Sequence, residues 1–153
     1  ERMRRMAPIL LVVLASCGSS ADDEAQSAPR NYVIETTTGS VSLEVEIADE
    51  PDERERGLMG RDRLDPYDGM AFVWGEPVRT SFWMKDTPIP LSIAFWDEGG
   101  HIVAILDMDP CRSDPCPTYD PGVEFVGALE VNLGFFDDHG VQVGDEVGYE
   151  GFR

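Results

Sequence analysis

The run that most constrains the fold is Thr80 to Trp96, TSFWMKDTPIPLSIAFW, the densest stretch of large apolar and aromatic side chains in the sequence. Its two arms, Val78 to Met84 and Leu91 to Trp96, read as strands. They are joined by the corner Thr87-Pro88-Ile89-Pro90, where each Pro fixes φ and removes a ladder donor. Side chains of this bulk belong in an interior, so the stretch predicts a core hairpin or a corner between sheets. A polar pair, Lys85 and Asp86, interrupts it at the end of the first strand.

Short strands also account for the rest of the chain. Asn31 to Glu35 and Ser40 to Ala48 flank the turn Thr36-Thr37-Thr38-Gly39, and Val41, Leu43, Val45 and Ile47 alternate with Ser42, Glu44 and Glu46 as in a strand with one wet face. Asp49 is placed to cap a helix whose first turn holds Glu50, Pro51, Asp52 and Glu53, running to about Met59 and stopped by Gly60. Asp65 to Gly69 reads as a turn, Met70 to Trp74 as a buried strand, and Gly75-Glu76-Pro77 as the turn into the central stretch. Asp97-Glu98-Gly99-Gly100 makes a hairpin back along His101 to Asp107. A Pro-rich loop, Met108 to Gly122, precedes a strand from Val123 to Val131. Leu133 to His139 reads as one or two helical turns ended by Gly140, and Val141 to Phe152 as the closing strand or two. The class is mainly β, an antiparallel sandwich or partly closed barrel with two short helices and no alternating βαβ pattern.

At 153 residues the chain has room for one such domain, and the first 16 residues stand apart from it. Arg2, Arg4 and Arg5 precede the apolar run Ala7 to Leu14, too short to span a bilayer. Leu14-Ala15-Ser16-Cys17 resembles a bacterial lipobox. Residues 1–16 are therefore expected to be a lipoprotein-type signal peptide, with Cys17 as the lipidated residue and membrane contact through the lipid. Residues 17–30, small, polar and acidic, read as a flexible tether, and 31–153 as the β-domain. The expected location is exported and anchored to the cell envelope; with Gly18 after the cysteine, lipoprotein sorting rules point to an outer membrane, facing the periplasm, in a Gram-negative cell.

The full chain holds 12 basic and 30 acidic residues, net −18. Without residues 1–16, which carry one Glu and three Arg, 9 basic residues face 29 acidic ones. Nucleic acid is excluded as a partner on this composition, since phosphate binding needs Lys and Arg. The diffuse acidity suits either saline surroundings or ordinary solubility. With Cys17 acylated, Cys111 and Cys116 remain as a pair in the long loop, and an oxidising location makes a disulfide the default. A zinc site would want two more ligands, and His101 and His139 are isolated.

Four segments carry a resemblance: RGLMGR, GMAFVW, SFWMKDTPIPLSIAFW and ALEVN. In this order and spacing they resemble the domain of unknown function family 192. The resemblance covers about Val45 to Val147 and implies a jelly-roll-like or barrel-like fold. That family has no established biochemical activity, so the resemblance implies neither a reaction nor a cofactor.

The residues themselves offer few catalytic signals. There is no nucleophile elbow, no phosphate-cradling Gly-rich loop and no His pair at helical spacing. Lys85 beside buried aromatics could have a depressed pKa and act as a base, or it could snorkel to water from the sheet edge. Glu130 and Asn132 share one face of an otherwise apolar strand, which would bury a carboxylate; Lys85, Arg56 or Arg61 is the expected ion-pair partner. Trp74, Trp83 and Trp96, with Met59, Met70, Met84 and Met108, could line a sugar or Cu(I) pocket, but alternate strand positions favour core. Asp137-Asp138-His139 reads as a solvated helix end in preference to a metal site.

Two functions follow. The favoured expectation is a non-enzymatic envelope lipoprotein binding a small molecule, glycan or partner protein, with Trp83, Met84, Lys85, Asp86, Glu130 and Asn132 as candidate binding residues and neither metal nor cofactor. The alternative is an envelope hydrolase or lyase-type enzyme using Glu130 and Lys85. The two separate on whether those side chains converge on one concave site.

Overall fold

The computed structural model describes residues 30–149. The expected signal peptide, Cys17 and the tether up to residue 29 lie outside the described residues, as do residues 150–153 of the closing segment. In chain order the elements are β1 Arg30–Thr36, β2 Gly39–Ala48, α1 Pro51–Arg56, β3 Asp68–Val78, β4 Phe82–Trp83, β5 Leu91–Trp96, β6 Ile102–Met108, β7 Thr118–Tyr119, β8 Phe125–Asn132, α2 Phe135–Asp138 and β9 Glu146–Tyr149.

Seven strands form one sheet in the order β6-β5-β8-β3-β2-β1-β9. Every neighbour pair is antiparallel except β2 and β3, which run parallel with Val45 opposite Gly69 and Ile47 opposite Ala71. A parallel pair needs a crossover, and α1 with its following turns supplies it. One βαβ unit thus sits inside the otherwise antiparallel framework, with no alternating βαβ pattern. The sheet curls until its two outer parts touch. Ile102 N–H donates to Asp145 O, Gly144 N–H to Ile102 O and Val147 N–H to Gly100 O, each at 2.8 Å. The result is the mainly β, partly closed barrel anticipated above, with a separate two-stranded sheet of β4 and β7.

Strand alternation divides the interior into two cores on opposite faces of the sheet. The one that draws on all seven strands lines the curl: Tyr32, Leu43, Ala71, Ala94, Leu129, Ile102 and Val147 belong to it, closed over by Phe135 and Phe136 of α2. The other covers the outer face of the middle strands, where Met70, Phe72, Ile93, Phe95 and Ala128 pack under Leu58, Phe82 and Met84. Lying between two cores, β5 is buried at all six positions, which is why its sequence shows no alternation. Where Trp96 crosses β8 the fit is close: a Cβ on Gly127 would come within 2.1 Å of the indole.

Several boundaries differ from expectation, each for a local reason. The central stretch is not a hairpin. β3 runs on through Gly75-Glu76-Pro77, because a shift of register against β8 between Val73 and Val78 absorbs the Pro that a regular ladder could not hold. Arg79 to Ser81 then leave the sheet exposed, and only Phe82 and Trp83 pair again, with β7, an element unforeseen in the long loop. The cap of α1 is Glu50, not Asp49, through a capping box with Glu53. α1 ends at Gly57 and not Gly60, since Gly57 takes φ 46° directly beneath the Phe72 ring. The Cys111–Cys116 disulfide is present and clips the loop that carries β7.

Candidate functional site

Glu130 lies in β8 between Met70 of β3 and Ile93 of β5, on the face of the outer core. It is 4% exposed. Its carboxyl lines a crevice of about 30 Å³ between the exit of α1 and the start of the two-stranded sheet. The walls are Gly57, Leu58 and Met59 on one side, Phe82, Trp83 and Thr87 on the other, and Phe72 beside the floor. The aromatic walls interlock: the Phe82 ring meets Phe72 edge-on at 5.1 Å and Phe95 at 5.5 Å. Trp83 stays 43% exposed and forms the outer rim.

The two walls are docked through the backbone. The corner after β4 is a turn in which Thr87 N–H donates to Met84 O at 3.1 Å and Asp86 takes the left-handed φ of 52°. The carbonyl of Asp86 then accepts from Gly60 N–H at 2.8 Å, joining this turn to the one that leaves α1. Thr87 is buried with its hydroxyl donating to Lys85 O at 3.2 Å. Lys85 and Asp86, an oddity in an apolar run, are there because this corner has to turn at the surface.

Among the described residues no ion pair reaches the Glu130 carboxyl, and burial alone shifts it. The ion pair expected from the sequence is absent because each anticipated partner is engaged elsewhere. Arg61 pairs with Glu46, Arg56 reaches toward Asp52 at 3.9 Å, and the Lys85 ammonium sits over the Trp83 ring, 5.2 Å from its centroid. Burial without a compensating charge pushes the Glu130 carboxyl up to about 8. At neutral pH the group is predominantly the uncharged acid, able to donate one hydrogen bond and accept others.

Of the six candidate binding residues, the structure brings Trp83 and Glu130 into one crevice. Met84 is buried in the outer core, and Lys85 and Asp86 do not line the void. Asn132, on the same strand face, does not line the crevice and serves the fold: its side-chain amide donates to Asp65 O at 3.0 Å and holds the loop before β3 against β8. Lys85 and Glu130 therefore do not converge. Phe72, Phe82 and Thr87 were not singled out by sequence; their only signal was position within the segments that resemble the family. Of the residues read as core, Trp96, Met70, Met84 and Met108 are buried, whereas Trp83 is not.

His139 is half-buried, unlike the solvated end expected of it. Its ring stacks on Phe135 with centroids 4.2 Å apart, and Tyr67 meets it edge-on at 5.6 Å. Among the described residues no group of three or more His, Cys, Asp or Glu is arranged to hold a metal ion.

The family model for DUF192, described as "Uncharacterized ACR", matches residues 32–149. This chain belongs to the DUF192 family. A Sinorhizobium meliloti protein of known crystal structure, provisionally described as a transcription regulator, is 33% identical with a TM-score of 0.77, over 84% of this chain and 98% of that one. A protein of unknown function from Novosphingobium aromaticivorans is 27% identical with a TM-score of 0.73, over 78% of this chain and 84% of that one. The comparison with curated proteins found no match. In this DUF192 chain all four segments of the resemblance meet at the crevice: RGLMGR supplies Gly57 to Met59, GMAFVW supplies Phe72, SFWMKDTP supplies Phe82, Trp83 and Thr87, and ALEVN supplies Glu130.

Proposed function

We propose that this chain is a lipid-anchored envelope protein whose β-domain is a binding module, with its ligand site at the crevice over Glu130. The observation that supports the site is the meeting there of four segments far apart in sequence, around a buried carboxyl with no ion pair among the described residues. A carboxyl that faces a void at the end of a mostly buried side chain is open to a ligand, which gains the interaction the fold leaves unmade. The anchoring rests on the basic and apolar N-terminal segment and Cys17.

A binding role fits better than a hydrolase or lyase role. General acid–base chemistry usually sets two groups against one substrate, and Lys85, the second group such an enzyme would use here, does not line the crevice. Nor does the regulator description of the Sinorhizobium protein carry over. With 12 basic residues against 30 acidic ones, this chain repels a phosphate backbone.

A thermal-shift screen of the full chain against small molecules and glycans tests the reading, because a ligand of the native state must raise the midpoint. Hits that raise the midpoint of the wild type but not of Glu130→Gln are the expected result. Hits indifferent to both Glu130→Gln and Trp83→Ala would move the site elsewhere.

A further inference from the structure

The size of the crevice limits what can enter it. About 30 Å³ is room for one or two groups the size of water. Only the head of an organic ligand fits, and the remainder must lie outside, where Trp83 is exposed.

Three features select the charge of that head. The Glu130 carboxyl, 4% exposed, has no charge beside it among the described residues to offset its burial. The walls are aromatic, and the Trp83 ring already carries one ammonium, that of Lys85 at 5.2 Å. The net charge of −18 draws cations toward a cleft with low-dielectric walls.

The charged groups that face the crevice all come from α1: Arg54, Glu55 and Arg56. Arg54 is committed, donating to the carbonyls of Asp49 and Val73 and lying over the Trp74 ring at 5.2 Å. Arg56 and Glu55 are exposed, with Arg56 directed toward Asp52. The neighbouring strands present Met70, Ile93 and Phe82. No cation of the described residues therefore pairs with Glu130, and an anionic head could sit against the carboxyl only while it stays protonated.

We propose that the crevice takes the primary ammonium head of an amine, which pairs with the Glu130 carboxylate while the rest of the ligand lies against Trp83. This deepens the ligand-site reading and rests on it. The empty site holds the uncharged acid, the amine arrives as the ammonium, and pairing leaves an ammonium beside a carboxylate with the carboxyl proton passed to solvent. Up to one proton leaves per amine bound, so binding strengthens as pH rises toward the titration range of Glu130 and weakens below it. A quaternary head is too large for the space.

The test uses the full chain with carbon-13 in its Glu carboxyls, titrated with methylammonium, tetramethylammonium or methanol at matched ionic strength. Methylammonium should lower the Glu130 midpoint by about 1 to 3 pH units, the effect of a close opposite charge. It should also shift the Trp83 indole N–H signal, an effect lost in Glu130→Gln. Tetramethylammonium and methanol should leave both signals in place. If methanol or tetramethylammonium acts as methylammonium does, the ammonium inference falls and the crevice remains a ligand site. If no probe perturbs Glu130 or Trp83, the ammonium inference falls, while the ligand-site reading stands or falls on the thermal-shift screen with Glu130→Gln and Trp83→Ala.

Discussion

Replacing Glu130 by Gln should stabilise this protein, and the gain should depend on pH. The folded carboxyl titrates near 8 against its ordinary 4.5. Below pH 4.5 the acid is uncharged in both folded and unfolded chains, and its burial costs no ionisation energy. Above that value the unfolded chain releases the proton while the folded one keeps it, so the unfolded state gains. Stability present at low pH is thus lost progressively between about 4.5 and 8, then levels off once both states are ionised. Each pH unit in that window corresponds to about 1.4 kcal/mol, giving about 3 kcal/mol by pH 7 and about 5 kcal/mol above pH 8. Gln keeps the shape of the acid and cannot ionise. Denaturant unfolding of wild type and Glu130→Gln from pH 4 to 9, followed by Trp fluorescence, reads the difference directly, and the other carboxylates cancel in it. The curves should coincide near pH 4 and diverge with the variant more stable. A Glu paired with a hidden cation predicts the opposite sign, a loss of about 3 to 5 kcal/mol on substitution. A variant no more stable than wild type at pH 8 refutes the reasoning.

Three further outcomes follow from the packing, the charge and the leader. Gly127→Ala should cost about 3 kcal/mol in denaturant unfolding, because the new Cβ meets the flat, buried ring of Trp96 and neither sheet neighbour can yield; a neutral effect would mean that the indole moves freely. Sodium chloride at about 1 M should raise the thermal midpoint of the full chain, since screening within roughly 3 Å quenches repulsion among the surplus carboxylates. A midpoint indifferent to salt leaves the acidity a solubility trait. Cys17→Ser should move the protein from the membrane to the soluble fraction in cell fractionation, and a variant still on the membrane contradicts lipid anchoring.

How much of this was legible depended on whether a local pattern decided the outcome. The alternation of Val41, Leu43 and Val45 announced β2, and the unbroken apolar run Leu91 to Trp96 announced a strand with two covered faces. The break between β3 and β4 was not legible, because apolar bulk looks alike in a ladder and in a segment that folds over a sheet; Phe82 is buried by the Phe72 and Phe95 rings, not by pairing alone. The parallel pair β2–β3 was hidden by the shortness of α1, six residues where a crossover helix is usually longer. At the site, strand periodicity foretold that Glu130 would point into an apolar layer. Which charge it would meet could not be read, since that turns on where Arg56 at the end of α1, Arg61 in the segment after it and Lys85 in the corner after β4 reach. The crevice itself belongs to the tertiary fold, assembled from segments up to 76 positions apart between Arg54 and Glu130.

The most direct measurement is the titration of the Glu130 side-chain carbon by nuclear magnetic resonance in the ligand-free full chain, assigned by comparison with Glu130→Gln. A buried carboxyl without a compensating charge should titrate with a midpoint near 8, well apart from the exposed acids. A midpoint at or below its ordinary 4.5 would show a charged, compensated group and contradict the account of an open binding site.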